Sequence, residues 1–341
     1  MKKIILLSGL LLAAIPAPGQ TGDVSKVGTT AAPFLEIPVG ARAIGMGGAF
    51  VGTSDDVTAL YWNPAGVARL NRSEAMFAHA EWIADMKFDY AGVALSLEEF
   101  GWIGLSFTSL SMGDMLVRTV DQPEGTGEVF DAGSFAAGIH YARNLSDKFS
   151  IGITAKYISE RIWNMHAGAF AIDVGTLFVT NFLNGMRIGA AVSNFGTEMK
   201  LEGRDARTFH PVDPTNTGGN DRIPQNIEMN SWHLPLNFQF GVAVDAIKTE
   251  NHLLTLAVDA LHPTDNYESL NVGAEYSFQK MFFLRGGYQS LLLTDAEGGL
   301  SLGTGILAPL FGETMNARVD YAYSDFGRLE AVHILAVSVL F

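Results

Sequence analysis

No cysteine occurs anywhere in the chain. This excludes a disulfide framework and a lipid-anchored lipoprotein alike. Basic residues are also scarce, 22 Lys and Arg against 36 Asp and Glu. So acidic a chain argues against a nucleic-acid partner. Beyond the first residues no apolar run reaches the ~18 residues of a membrane helix. The eight histidines form neither an H-E-x-x-H pattern nor a close pair suited to zinc. What remains is a rather apolar protein, 48% hydrophobic, with 37 glycines and 22 phenylalanines.

The start of the chain reads as an export signal. Lys2 and Lys3 are followed by an apolar core over residues 4–15, and Ala17-Pro18-Gly19 supplies small residues before Gln20. We therefore expect residues 1–19 to be a signal peptide, with the mature protein working outside the cytoplasm. Losing its two lysines leaves 20 bases against 36 acids, a net charge of −16.

From about residue 73 the hydrophobic pattern has period two. In "FQFGVAVDA", Phe238, Phe240, Val242 and Val244 share one face, and Gln239, Gly241, Ala243 and Asp245 the other. Alternation of this kind marks half-buried strands. Fourteen segments show it: 73–81, 88–98, 100–109, 133–145, 148–160, 166–179, 185–195, 232–246, 251–262, 268–279, 281–290, 298–307, 314–323 and 329–341. Most exceed the ~5–6 residues usual in soluble sheets. They match the ~9–11 residues with which a tilted strand crosses a bilayer. Short turns at 98–101, 144–148, 181–185, 248–251 and 279–281 alternate with longer connections, notably 110–132 and 196–231. The pattern predicts an all-β protein, a transmembrane antiparallel up-and-down β-barrel of about 14 strands over residues 73–341, set in outer-membrane lipid with both termini on the short-turn side.

With the apolar faces toward lipid, the opposite faces place Lys156, Asp173, Arg187, Asp245, Asp259, Glu275, Arg285, Arg318 and Asp320 in the lumen. Five acids against four bases suggest paired networks around an internal plug, with Asp245, Asp259, Glu275, Arg285, Arg318 and Asp320 as the lumen charge network. The inward face of the last strand (Val332, Ile334, Ala336, Ser338, Leu340) is too apolar for a water-filled pore. Either the N-terminal segment or a hydrophobic ligand packs there. The chain ends on an aromatic residue, Phe341, in the manner of a barrel-end signal.

Residues 20–72 lack strand alternation and are too many for a turn; they predict a compact plug. Within "GARAIGMGGAFVGTSDDVTALYWNPAGVARL", residues 40–70, Gly45, Gly47 and Gly48 permit close backbone approach in a narrow lumen. The glycines miss G-x-G-x-x-G because Phe50 stands at the last position, and no βαβ unit surrounds them. "SDDVTALYWNPAG" reads as a short helix capped by Ser54 or Asp55 and stopped by Asn63-Pro64.

That 40–70 stretch resembles the N-terminal hatch of the PorV/PorQ group of FadL-like outer-membrane proteins, whose shared signature falls on Asn63, Pro64 and Ala65. "LHPTDNYESLNVGAEYSF" (261–278) and "FLRGGYQ" (283–289) resemble later strands of the same group. The resemblance covers essentially the whole mature chain. It implies a fourteen-stranded barrel in the bacterial outer membrane with a hatch at 20–72. It also implies partners of the type IX secretion system: the export channel and the C-terminal signal domains of its cargo. FadL relatives instead imply a hydrophobic small-molecule ligand passing the hatch and a lateral opening.

Other motifs carry less. "GLSLG", 299–303, fits G-x-S-x-G, but Ser301 lies within an alternating strand and not on a strand-to-helix elbow. Asp213, Asn216 and Asp221 lack EF-hand spacing and read as a solvated turn. The 110–132 loop sets Asp114, Asp121, Glu124, Glu128 and Asp131 against Arg118 alone, an acidic surface suited to meeting another protein. No catalytic set, cofactor site or metal site is expected.

Overall fold

The computed structural model describes residues 26–210, 222–293, 296–311 and 314–341. The signal segment 1–19 and the loop bearing Asp213, Asn216 and Asp221 lie outside the described residues.

Fourteen long strands carry the fold. They are β1 (Glu74–Glu81), β2 (Lys87–Ser96), β3 (Trp102–Ser111), β4 (Ala132–Asn144), β5 (Phe149–Ile162), β6 (Met165–Val179) and β7 (Arg187–Gly196). The second half has β8 (Asn237–Lys248), β9 (His252–Pro263), β10 (Ser269–Phe278), β11 (Phe282–Leu291), β12 (Leu300–Phe311), β13 (Met315–Asp325) and β14 (Ala331–Leu340). Each pairs antiparallel with its sequence neighbours, and β1 pairs with β14 to close the cylinder. Closure satisfies every ladder without leaving an edge, which is what a spanning β-structure in lipid requires. Among the described residues no helix is long and apolar enough to cross a membrane.

Each expected strand corresponds to one observed strand, and the alternation puts the expected faces outward. Phe170, Ile172 and Val174 of β6 are 67%, 45% and 48% exposed, while Ala167, Ala169 and Ala171 between them are buried. The largest boundary error is at β8, which starts at Asn237 and not near 232. Pro235 offers no N–H to a ladder, and Ser231–Trp232 pairs instead with Met199–Lys200 in the long connection. The 161–165 connection shrinks to two residues because β5 and β6 run on to Ile162 and Met165.

The turns segregate as expected. Those after β2, β4, β6, β8, β10 and β12 gather at one rim, and the long connections leave β3 and β7 at the other. The N-terminal segment lies inside. It begins at the long-loop rim, where Ala31 N–H donates to His233 O (2.8 Å) and the Thr30 hydroxyl to Asp265 (2.6 Å). It then descends through α1 (Ala41–Gly45), α2 (Ala59–Trp62) and a 3-10 turn (Pro64–Arg69). It leaves at the short-turn rim, where Arg69 reaches Ser150 and the Asp147 carbonyl.

Most of the molecule's core lies between this segment and the wall. Phe34, Val57, Leu60 and Val67 pack with Phe88, Tyr90, Val332, Ile334 and Ala336. The apolar inward face of β14 is thus covered by the N-terminal segment. Burying such side chains stabilises the packing by about 1.5–3 kcal/mol each.

Candidate functional site

The site is the contact between the N-terminal segment and the wall, together with the space left above it. Wall glycines make that contact possible. Gly152 of β5 abuts Pro64, Gly175 of β6 abuts Asn63, and Gly189 of β7 abuts Val51. Gly241 of β8 meets Gly52, and Gly273, Gly287 and Gly303 of β10 to β12 meet Met46, Gly47 and Gly45. At all seven a Cβ would overlap the segment or crowd it to 3.0 Å, so backbone rests on backbone around much of the lumen. The segment's own glycines divide the work differently. Gly45 approaches Gly303, while Gly47 and Gly48 approach Tyr288 and Asn271 and also take left-handed φ values of 64° and 71°, open to glycine at no steric cost.

Asn63 is fully buried and closes three links. Its Nδ2 donates to Val51 O (3.0 Å) and to Thr176 O on β6 (3.1 Å), and its Oδ1 caps the 3-10 turn at Ala65 N–H (3.2 Å). Pro64 and Ala65 are buried beside it against β5 and β6. The helix before them is a single turn capped by neither Ser54 nor Asp55; its N-cap position is Thr58. The aspartates are drawn elsewhere. Asp55 and Asp56 both accept from Arg42 Nη1, at 2.6 and 3.0 Å, and Asp56 also takes the Thr58 hydroxyl (2.5 Å).

Arg42 anchors the central ion-pair network. It grips Glu275 of β10 with two nitrogens (2.8 and 2.7 Å) and lies 5.3 Å from the centre of the Phe50 ring. Arg285 of β11 joins Glu275 (2.6 Å) to Asp320 (2.7 Å), and Arg318 of β13 joins Asp56 (3.1 Å) to Glu74 (3.0 Å) and Asp320. Burial alone would depress Arg42, but Asp55, Glu275 and Asp56 hold it above its ordinary value. Burial would likewise raise Asp56, but Arg318 and Arg42 hold it below the usual carboxylate range.

The structure therefore brings Glu275, Arg285, Arg318 and Asp320 together and separates the other two expected members. Asp245 pairs with Arg187 (2.9 Å) and Lys248 (3.1 Å) near the short-turn rim. Asp259 faces no base; it accepts the backbone N–H groups of Phe50 (2.6 Å) and Val51 (2.7 Å). Lys156 and Asp173 form a third pair at 2.8 Å. Sequence reasoning missed Arg42, Asp55, Asp56 and Glu74. The available signal was a lone arginine in the otherwise apolar, glycine-rich 37–52 stretch. Phe341 lies just past β14, its N–H donating to Ser73 O (2.9 Å) and its ring 46% exposed.

Elsewhere, Ser301 sits inside β12, bonded to Gln289 (2.9 Å) and Ser324 (3.2 Å). Asp131, grouped above with the acidic loop, is paired with Arg161 of β5. Among the described residues no group of three or more His, Asp or Glu could hold a metal ion. Above the segment, in the long-loop half of the lumen, lies a cavity of about 250 Å³ floored by Glu36, Tyr61 and Trp62. Glu36 is pushed up to about 7 by burial and by Asp265 beside it.

A closed, filled, lipid-facing cylinder of this kind is a bacterial outer-membrane barrel. Solved structures share its fold. A Pseudomonas aeruginosa FadL homologue superposes with a TM-score of 0.52 at 10% identity, over 89% of this chain and 98% of that one. The Pseudomonas putida toluene transporter TodX gives 0.52 at 12% (88% and 96% covered), and the Ralstonia pickettii toluene transporter TbuX 0.51 at 11% (88% and 97%). No curated protein matches the chain significantly. The family model for the type IX secretion system protein PorV matches residues 20–238. The chain belongs to the PorV family.

Proposed function

We propose that this barrel is an interaction partner in type IX protein secretion, its long-loop rim binding the export channel or the C-terminal signal domains of secreted proteins. The N-terminal segment is its hatch, and Asn63, Pro64 and Ala65 are the motif that seats it against β5 and β6. One observation supports this reading over passage of hydrophobic compounds. The lumen behind Asn63-Pro64-Ala65 is occupied by tightly seated backbone, which leaves no continuous apolar path past it. All fourteen strands are hydrogen-bonded to both neighbours, with irregular register between β6 and β7 at Asp173 and between β10 and β11 at Asn271.

The exposed connections supply the contact surface. Leu116, Val120 and Val129 of the 112–131 hairpin are 47%, 100% and 53% exposed beside Asp114, Asp121, Glu124 and Glu128. Mixed apolar and acidic surface of this kind suits a protein partner. The test is affinity purification of the tagged chain from outer membranes in mild detergent. Recovery of a large barrel translocon or of C-terminal signal domains is expected. A lone barrel carrying co-purified lipid would overturn the reading in favour of a FadL-like conduit.

A further inference from the structure

The outer wall carries a polar groove that neither the lumen nor the secretion reading uses. It lies at the long-loop end of the seam where β14 closes on β1, between the turns 82–86 and 326–330, and encloses about 590 Å³. Cross-strand register sets two rows of outward side chains there. Lys87, Glu81 and His333 stand side by side on β2, β1 and β14, and His79, Leu335 and Tyr321 form the row beneath on β1, β14 and β13. The intervening Ala80, Val332 and Ile334 are buried toward the lumen. One row further down, Ala91, Phe77, Val337 and Val319 are apolar throughout. The groove therefore sits where hydrocarbon gives way to headgroups.

Part of its chemistry is already satisfied. His79 is bonded to Asp89 (2.7 Å) and His333 to the Tyr321 hydroxyl (2.6 Å). Four charged side chains of the lining, Glu81, Asp85, Glu330 and Lys87, form no hydrogen bond or ion pair among the described residues. Charges on a lipid-facing wall are costly unless something answers them. Three carboxylates against one ammonium repel an anionic head and attract one that carries a cation. The single lysine suits one phosphate. A head with both a phosphate and a donating ammonium answers the whole set, whereas a choline head brings the charge without an N–H to donate.

We propose that this groove is a headgroup site for phosphatidylethanolamine. Lys87 takes its phosphate, the carboxylates of Glu81, Asp85 and Glu330 take its ammonium, and its chains run down over Leu335, Phe77 and Val337. A lipid reaches the groove directly, because the groove opens on the side of the cylinder.

Native mass spectrometry tests the full chain in detergent with equal amounts of dioleoyl phosphatidylethanolamine, phosphatidylcholine and phosphatidylglycerol. The ethanolamine lipid should be retained about fivefold or more over the choline lipid, the worth of one hydrogen bond. Glu81→Gln should erase most of that preference. Lys87→Met should weaken both zwitterionic lipids alike, since both carry the phosphate. Both substitutions are at exposed positions, so an intact barrel is expected and is checked by its melting temperature. A photoreactive probe on Leu329→Cys, the chain's sole cysteine, should label lipid in outer membranes. Equal retention of the three lipids, preference for the anionic one, parental selectivity in Glu81→Gln, or labelling of a protein alone would overturn the proposal. None of these readouts depends on recovery of a translocon, so either reading can fail without the other.

Discussion

The N-terminal segment is held in two different ways on its two flanks. Toward β5, β6 and β7 the contact is one of shape: Gly152, Gly175 and Gly189 bring wall backbone against Pro64, Asn63 and Val51 with no charge involved. Toward β1, β10, β11 and β13 charge is added to shape: beside the glycine seats of β10 and β11, Arg42, Asp55 and Asp56 interlock with Glu74, Glu275, Arg285, Arg318 and Asp320. A shape contact fails when an atom is added, and a charge contact when one is removed. Buried pairs add little stability over apolar packing but are costly to break. The charged flank therefore fixes where the segment sits more than how tightly it is held.

Removing the central cation should have the largest effect. Arg42→Met leaves Glu275 and Asp56 with one guanidinium each and Asp55 with none, at a cost of about 3 kcal/mol, the low end for a broken buried pair. Hydrogen exchange across residues 40–60 should accelerate accordingly; unchanged protection would mean that the charged flank does not hold the segment. On the other flank, Gly175→Val drives a side chain into Asn63 and Pro64 and should cost about 1–3 kcal/mol by overpacking. The expected readout is new protease cleavage between 50 and 70 with the barrel intact. A variant as resistant as the parent would show that β6 can yield there.

A smaller effect is expected from pH. The carboxyl of Glu36 has its pKa raised from 4.5 to about 7, first by burial and then by Asp265. The folded state therefore binds this proton more tightly, so the contribution is complete below about pH 4.5 and is lost as pH rises through about 7. Exchange of residues 30–37 should quicken between pH 5 and 8, as checked at about 1-unit steps after correction for intrinsic rates, and Glu36→Gln should abolish the change. Least of all is expected from Arg161→Ala at the long-loop rim, whose pair with Asp131 is solvent-exposed. Exposed ion pairs contribute little, and the melting temperature should not move. A measurable drop would show that charge matters even outside the lumen.

The wall was legible because lipid on one side and a filled lumen on the other impose period two on every strand. Phe238 and Phe240 had to face outward once Ala243 and Asp245 faced in. That the residues just before the first strand do not join the wall also followed, since nothing in them alternates; the described ones, from residue 26, lie inside. Their detailed seating did not. Asp55 looks like a helix cap in one dimension, and only the arrival of Arg42 in space makes it an ion-pair partner. Asp259 shows the same limit: its face was readable, but its partners are N–H groups 208 and 209 positions away. The role of the wall glycines was not legible for a related reason. A glycine in a strand reads as a weak position until the opposing backbone is known.

The course of the N-terminal segment ties the two mouths of the molecule together. Its described part runs from one mouth, touches most of the staves, and leaves at the other mouth directly into the first of them, which also pairs with the last. Drawing it out would part those backbone seats and the buried ion pairs at once.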